Sequence, residues 1–186
     1  MNDAHHAQRA FCEKEALRPI LNVACKEDPA RLFEFDATNM DLLTYDPHMK
    51  CDLEKQVPNF VQGDAKNLPF DDKSYGTIVI GELFEHCIME AAILVLNEAK
   101  RVLNDDPGAR VCATYPFDAR PAEQQHAKHL LVEWSPGITS WHQTVWEDDM
   151  MRLLAAKCGF NVHSFTTVAY SIQNVPEGRC TILKKA

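Results

Sequence analysis

The stretch that decides the fold is FVQGDAKNLPF (Phe60–Phe70), which continues through DDKSYG (71–76) into TIVIGELFEH (Thr77–His86). Its apolar segments at 59–62 and 77–80 both predict β-strands, and each ends in small or acidic residues. A turn closed by Pro69 separates the two strands. The carboxyl ends of parallel strands meet at one edge of an open α/β sheet, where ligands bind. The stretch therefore predicts a parallel sheet with a ligand pocket, most simply a cofactor pocket, at that edge.

The sequence on either side completes a sheet of seven strands. Five further strands are predicted at 20–25, 39–43, 109–114, 160–170 and 180–183. Apolar residues recur every three or four positions within 82–102, which predicts an amphipathic helix: Ile88, Ala91, Ala92, Val95, Leu96, Ala99 and Val102. A second helix is predicted over 147–158, ending at Gly159. Because helices connect most of the strands, we expect an α/β fold with a mostly parallel sheet and a C-terminal antiparallel hairpin.

Composition limits the possible classes of protein. A chain of 186 residues can bury one core but is too short for two full domains, so we expect a single domain over 1–186. An N-terminal helix is predicted over 1–18, where Pro19 ends it. The formal net charge of −8 argues against general nucleic-acid binding, because phosphate neutralisation needs clustered Lys and Arg. No apolar run approaches the length of a membrane span.

The cysteines and the N-terminus bear on location. The seven cysteines are widely spaced and form no C-x-x-C pair, which argues against a zinc ribbon and a redox dithiol. Reduced thiols in the cytosol are the simpler interpretation. Residues 1–18 carry histidines and charges and have no apolar core of a secretory signal. We therefore expect a cytoplasmic protein with no membrane segment.

Four blocks of sequence together resemble the class I S-adenosylmethionine-dependent methyltransferases, in particular the methyltransferase type 11 group. They are GDA with LPF and SY (Gly63–Tyr75), GELFEH (Gly81–His86), EAKRVL with PG (Glu98–Gly108) and LL with CGF (Leu153–Phe160). The blocks occur in the family's order, and the resemblance covers about residues 20–184. It implies a Rossmann-like seven-stranded fold with helices on both faces and the cofactor S-adenosyl-L-methionine. It also implies methyl transfer to a small or medium-sized acceptor that enters past residues 115–146, the acceptor-side loop or lid region.

The glycine-rich first motif of the family is altered in this chain. The pattern L-D-V-G-C-G-x-G corresponds to Leu21–Asp28, so that Asn22 replaces the acid and Ala24, Lys26 and Asp28 stand at the glycine positions. Glycine permits close backbone approach or positive φ, and Ala24 preserves most of that space. Two alternatives therefore stay open. Beside the methyltransferase, they are a catalytically inactive methyltransferase-like binding or scaffold protein, and an enzyme that uses the same cofactor for chemistry other than methyl transfer.

The resemblance implies a set of cofactor-binding residues. Asp41, at the end of the second strand, would accept the ribose hydroxyls, with Asp46 as the alternative if the strand ends later. Asp64 and Ala65 would face the adenine, although Asp64 could instead cap a turn. The remaining residues would surround the methionine end: Asn22, Ala24, Cys25, Gly81 and Glu82.

A sulfonium methyl donor is already activated, so the protein mainly aligns the acceptor and accepts its proton. His86 and His142 are the candidate bases, since the pKa of histidine suits that role, although His86 could be structural. His126 and His129 could join His142 in one site, but no carboxylate or cysteine spacing completes a metal pattern, and no metal is predicted.

The tryptophans and the size of the chain complete the sequence-based expectations. Trp141 is a candidate wall on the acceptor side, whereas Trp146 borders the last helix and is expected to pack against it. Few residues remain to cover the acceptor, so a homodimer that closes the pocket is a further hypothesis.

Overall fold

The structure, a computed structural model, describes residues 10–25, 37–43, 45–46, 51–116, 133–139, 146–169 and 177–186, together with Thr144. Its strands are β1 (Ile20–Val23), β2 (Ala37–Asp41), β3 (Tyr45–Asp46), β4 (Cys51–Asp52), β5 (Phe60–Gln62), β6 (Thr77–Gly81), β7 (Arg110–Pro116), β8 (Glu133–Ser135), β9 (Ile138–Thr139), β10 (Phe160–Ala169) and β11 (Glu177–Lys185). Its helices are α1 (residues 10–15), α2 (Leu53–Gln56), α3 (Met89–Val102) and α4 (Asp148–Lys157), with a 3-10 turn at Phe84–His86.

Seven strands form the central sheet, in the order β10-β11-β7-β6-β1-β2-β5. The five strands from β7 to β5 run parallel, and β11 is antiparallel to both β7 and β10. This confirms the predicted α/β fold with a mostly parallel seven-stranded sheet and an antiparallel C-terminal pair. The chain builds outward from β1 to β2 and β5, then returns to place β6 on the other side of β1. The carboxyl ends of β1 and β6 therefore lie at the topological switch point, where sheets of this kind bind ligands.

Helices cover both faces of the sheet, and each face has its own apolar cluster. The larger cluster joins alternate residues of the strands, such as Leu21 and Ile78, to the apolar sides of α3 and α4. The smaller cluster takes the opposite residues, Ile20 and Val79, and packs them against Cys12 of α1. Burial on both faces explains why the parallel strands have continuous apolar sequences rather than alternating ones.

Two boundaries differ from those predicted. The helix predicted over 82–102 begins at Met89, because Glu82 adopts a left-handed φ of +48° and the backbone of Ile88 is extended. The strand predicted over 20–25 ends at Val23, because Ala24 also has positive φ. An N-terminal helix is present over 10–15. Asp28 and Pro29 also predict the start of a short helix over 29–35, which lies outside the described residues.

Regular structure also occurs where none was predicted. The short pair β3–β4 and the turn of helix α2 fill the connection between β2 and β5. The pair β8–β9 lies within the connection expected to be irregular. Within the described part of the chain, no helix is both long and apolar enough to span a membrane.

Candidate active site

A pocket of about 340 Å³ opens at the carboxyl ends of the parallel strands. That volume includes space that is open to solvent. Four consecutive strand ends and one hairpin contribute its lining: Val23, Ala24, Met40, Asp41, Leu42, Gly63, Asp64, Ala65, Leu83, Ser135 and Ile138. The pocket thus lies at the edge of the sheet that the sequence predicts.

The turn after β1 keeps a glycine-type conformation without a glycine. Ala24 has φ of +62°, in the left-handed region that L-residues rarely occupy. Residues held in this way cost roughly 1–3 kcal/mol and persist only where the surrounding structure fixes them. Here β1 is hydrogen-bonded between β2 and β6 along its whole length, which fixes the direction in which the chain leaves the strand. The backbone at this point therefore follows the course that a glycine would favour.

Asp41 closes β2 and brings a carboxylate to the pocket. The residue is only 7% exposed, and its Oδ1 accepts a hydrogen bond from the backbone N–H of Leu43 at 3.2 Å. That bond holds the carboxyl group beside the strand end. Asn22 lies elsewhere: its buried Nδ2 donates to Oδ1 of Asn39 at 3.0 Å, on the α1 face of the sheet. The side chain of Asp46 lies outside the described part of the chain.

Asp64 follows β5 and both lines the pocket and caps a turn. Its Oδ1 accepts from the backbone N–H of Lys66 at 2.9 Å, and its backbone oxygen accepts from N–H of Asn67 at 2.9 Å. The capping role and the pocket-facing role therefore coexist. Ala65, beside it, is 8% exposed and also lines the pocket.

Arg101 of α3 fixes the turn that follows Asp64. Its guanidinium donates to the backbone oxygens of Leu68 and Phe70 at 2.9 and 2.8 Å, and to carboxylate oxygens of Asp72 and Glu98. Glu98 also accepts from the backbone N–H of Leu68 at 2.8 Å, and the neighbouring Arg101 lowers the pKa of that carboxyl. All five N–H donors of the Arg101 guanidinium are used. The block EAKRVL therefore stabilises the turn after Asp64 and does not itself line the pocket.

The end of β6 has room for a ligand beside its backbone. Among the described residues, a Cβ built on Gly81 would meet only Thr114 Oγ1, at 3.8 Å, which is an ordinary contact. Packing against the described residues therefore does not explain the glycine. Glu82 follows with positive φ and is 8% exposed, and Leu83 lines the pocket. Two strand ends at the switch point, those of β1 and β6, thus carry left-handed non-glycine residues.

Two residues that follow β9 in the chain, Thr144 and Trp146, hold the segment after β6 in place. Trp146 is fully buried and donates from Nε1 to the backbone oxygen of Phe84 at 2.7 Å, with its ring 5.7 Å from the Phe84 ring. Thr144 donates through Oγ1 to the backbone oxygen of Cys87 at 2.8 Å. Trp146 is therefore a packing residue. His86 is half-buried in the 3-10 turn and does not belong to the pocket lining.

The hairpin β8–β9 forms the remaining wall of the pocket, and the sequence analysis missed it. Its two strands meet at Pro136–Gly137, where Gly137 has φ of +79°. Pro followed by Gly at the centre of a turn, between β-prone residues, is the local signal that would have predicted it. Lys66 Nζ donates to the backbone oxygen of Pro136 at 2.6 Å, so the hairpin is fastened to the turn after β5.

The predicted site residues are thus partly brought together. Ala24, Asp41, Asp64 and Ala65 line one pocket, whereas the described positions of Asn22, Cys25, Gly81, Glu82 and His86 are outside its lining. Cys25 is buried directly after Ala24, and Gly81 and Glu82 directly precede Leu83, so these three adjoin the pocket in sequence. His142, His126, His129, Trp141, Lys26 and Asp28 lie outside the described residues. Within the described ranges, no three His, Cys, Asp or Glu side chains are grouped as metal ligands.

The chain is similar to known proteins in both sequence pattern and fold. A family model described as a methyltransferase domain matches residues 21–111, nearly half of the chain. None of the curated protein sequences matches significantly. A S-adenosylmethionine-dependent methyltransferase from Methanosarcina mazei has a TM-score of 0.64 at 15% identity, with 94% of this chain and 96% of that one covered.

Two further structures share the fold at similar distance. The 1,6-didemethyltoxoflavin-N1-methyltransferase of Burkholderia thailandensis has a TM-score of 0.68 at 12% identity, covering 100% of this chain and 79% of that one. The cyclase SpnF has a TM-score of 0.63 at 12% identity, covering 97% and 80%. The fold implied by the resemblance is therefore confirmed: the chain has the class I methyltransferase fold, and its residues 21–111 match the model of a methyltransferase domain.

Proposed function

We propose that this chain binds S-adenosyl-L-methionine in the pocket and transfers its methyl group to a small or medium-sized acceptor. The observation that carries the proposal is the convergence of two carboxylates, those of Asp41 and Asp64, on one pocket at the switch point of the sheet. We take residues 1–186 as a single domain in which residues 115–146 form the acceptor side. The β8–β9 hairpin, which lies in that segment and lines the pocket, supports this division.

The donor groups of the pocket fit the nucleoside part of the cofactor. Asp41 is buried and its carboxylate has two oxygens, of which Oδ1 is already oriented by Leu43. A carboxylate at this place suits a pair of ribose hydroxyls, since such charge-assisted hydrogen bonds are among the stronger ones. Asp64 can accept from the exocyclic amine of adenine, and the small side chain of Ala65 leaves its backbone amide accessible to the ring.

The methionine end is assigned to the ends of β1 and β6. The space beside Gly81 suits a ligand that approaches the backbone closely, because Thr114 Oγ1 is the one atom of the described residues that a Cβ there would contact. Ala24 and Cys25 would form the floor, with Glu82 as the nearby polar group, whereas the side chain of Asn22 is bonded to Asn39 on the α1 face of the sheet. Ala24 already has the positive φ that a glycine motif provides, so the altered first motif is compatible with binding.

Bound S-adenosyl-L-methionine supplies a methyl group that its sulfonium has already activated. The chain's own residues then have three tasks: to hold the donor, to align the acceptor and to accept a proton from it. His86 and His142 are the proposed proton acceptors. A small acceptor agrees with the B. thailandensis enzyme, whose structure holds 1,6-didemethyltoxoflavin and S-adenosylhomocysteine. A homodimer that completes the acceptor side remains a proposal.

Calorimetric titration with S-adenosylhomocysteine tests the binding step. Asp41→Asn keeps the shape and an Oδ1 acceptor for Leu43 but removes the charge, so we expect affinity to fall about 10-fold or more, given the worth of hydrogen bonds to charged groups. Asp52→Asn is the matched control. It makes the same change at the N-cap of α2, outside the pocket lining, and should leave affinity unchanged.

The outcomes separate the candidate functions. Binding that is lost in Asp41→Asn, together with formation of S-adenosylhomocysteine from the methyl donor and a panel of small acceptors, supports the methyltransferase. Binding without turnover favours a binding protein without catalysis or an enzyme with other chemistry on the same cofactor, and the cyclase SpnF shows that the fold also occurs in an enzyme not named a methyltransferase. No binding at millimolar ligand would contradict the proposal and favour a scaffold protein.

A further inference from the structure

The geometry points to Ser135 as an additional ligand-binding residue that contacts the base of a bound purine nucleoside. Ser135 closes β8, lines the pocket and is only 9% exposed. Its hydroxyl Oγ is buried and has no hydrogen-bond partner among the described residues. The inference rests on the proposed function, since it assigns a new contact within the same pocket.

A buried hydroxyl without a hydrogen-bond partner is unusual in a folded protein and needs an explanation. The large majority of buried polar atoms in folded proteins are hydrogen-bonded, because an unpaired one loses its hydration and gains nothing in return. Leu83 and Ile138, which line the same pocket, are apolar, and no described group forms a hydrogen bond with the hydroxyl. Rotation about the Cα–Cβ bond of Ser135 would turn the hydroxyl towards a ligand in the pocket, and that ligand would supply the missing partner. Serine can meet either kind of partner, since its hydroxyl both donates and accepts.

The position of the hairpin indicates which part of the ligand Ser135 would contact. Lys66 Nζ donates to the backbone oxygen of Pro136, the next residue, and lies 3.7 Å from Oδ2 of Asp64. The end of β8 is thereby fastened on the Asp64 side of the pocket, which we assign to the base. A purine edge carries both ring-nitrogen acceptors and, in adenine, an amine donor, so a neutral hydroxyl can pair with it.

The hairpin is held firmly enough to present Ser135 in a fixed place. The backbone N–H of Ile88 donates to the backbone oxygen of Gly137 at 3.0 Å, and the backbones of Cys87 and Ile138 pair in an isolated antiparallel β-bridge. Gly137 has positive φ, and a Cβ there would approach Ile88 and Ala91 to about 3 Å, so glycine is required. A contact that is prepositioned in this way costs little ordering on binding.

Ser135→Ala tests the inference by calorimetry, with Ser74→Ala as the matched control. Ser74 loses a hydroxyl that donates to the backbone oxygen of Asp71 in a turn outside the pocket lining. We expect Ser135→Ala to weaken binding of S-adenosylhomocysteine roughly three- to tenfold, as for one neutral hydrogen bond. The loss should be the same for 5′-methylthioadenosine, which keeps the base and ribose but lacks the amino-acid end. Ser74→Ala should bind both ligands as the wild type does.

A second readout needs no ligand. Because Ser135→Ala removes a buried hydroxyl that the protein does not pair, the melting temperature of the ligand-free variant should equal or exceed that of the wild type. A fall of several degrees would show that the hydroxyl supports the fold and would overturn the inference.

The binding outcomes also keep the inference separate from the proposed function. Equal affinity of Ser135→Ala and wild type for S-adenosylhomocysteine would overturn the inference alone. A loss for S-adenosylhomocysteine but not for 5′-methylthioadenosine would place Ser135 at the amino-acid end and overturn the assignment to the base. A wild-type protein that binds neither ligand would overturn both.

Discussion

Replacing Ala24 with glycine should stabilise the protein, although the same change in most places would do the opposite. Ala24 has φ of +62°, and the left-handed conformation costs an L-residue roughly 1–2 kcal/mol. Glycine removes that cost. Against this gain, glycine makes the unfolded chain more flexible, which lowers the free energy of unfolding by about 0.4–1 kcal/mol. Losing the methyl group of Ala24 removes little buried apolar surface, because the residue is only partly buried against the core. The balance is a gain of about 0.5 kcal/mol in the free energy of unfolding.

A matched control makes the sign informative. Ala156 is exposed within α4, where the helical backbone has no need of glycine. Ala156→Gly should lower the free energy of unfolding by roughly 0.5–1 kcal/mol. The two variants differ from the wild type by the same methyl group, so opposite signs isolate the effect of the backbone conformation at Ala24.

Urea denaturation followed by far-ultraviolet circular dichroism measures both variants. For two-state unfolding with an unchanged m-value, a shift in midpoint reports stability directly. A destabilisation of Ala24→Gly comparable to that of Ala156→Gly would refute the reasoning, because it would mean that Ala24 is unstrained. The affinity of Ala24→Gly for S-adenosylhomocysteine should be unchanged or higher, since the backbone keeps its course and loses a methyl group near the ligand.

Two further predictions concern β6 and the buried thiols. Gly81→Ala should leave the urea midpoint within error, because the added methyl finds open space in the protein, yet it should weaken S-adenosylhomocysteine binding roughly tenfold or more. Unchanged affinity would show that the methionine end lies elsewhere. Burial, reinforced by the nearby carboxylates, raises the pKa of both Cys87 and Cys180 from 9.0 to about 12. Neither thiol should react with iodoacetamide at pH 8 in the folded protein, as judged by mass spectrometry. Because the pKa of both thiols is higher in the folded than in the unfolded protein, their contribution to the free energy of unfolding is complete below about pH 9 and is lost as pH rises towards 12. The urea midpoint should therefore fall between about pH 9 and about pH 12. An unchanged midpoint over that range, or rapid labelling at pH 8, would contradict this.

The periodic parts of the fold could be predicted because their signals are local. Of the apolar positions predicted for α3, all are buried except Ile88, which is 41% exposed because it precedes the helix. The parallel strands were equally clear, since burial on both faces gives continuous apolar runs. Asp41 ends its strand as the family resemblance implied, although the strand predicted at 39–43 is observed two residues earlier, at Ala37–Asp41.

The missed features depend on contacts that are distant in sequence. Nothing local marks Glu82 as left-handed, so the helix was predicted to start seven residues too early. The β8–β9 hairpin carried a Pro-Gly signal but lay in a long irregular connection, and its position over the pocket depends on Lys66, 70 residues away from Pro136. Ser135 consequently has no sequence signature at all. It becomes a candidate only when the hairpin is seen to close the pocket.

In the altered glycine motif, the backbone conformation does not follow from the residue type. The sequence left open whether a first turn without its glycines still serves the cofactor, and the backbone at Ala24 has the positive φ that glycine permits. The cause lies in the neighbours: β1 is paired on both sides, and Arg101 with Glu98 holds the turn after β5 through several hydrogen bonds. Those contacts determine where the strand ends point. A turn so constrained needs glycine less than an isolated one does, because the surrounding structure, and not the residue, selects its conformation. The stability of Ala24→Gly therefore measures how much strain the sheet imposes at the pocket.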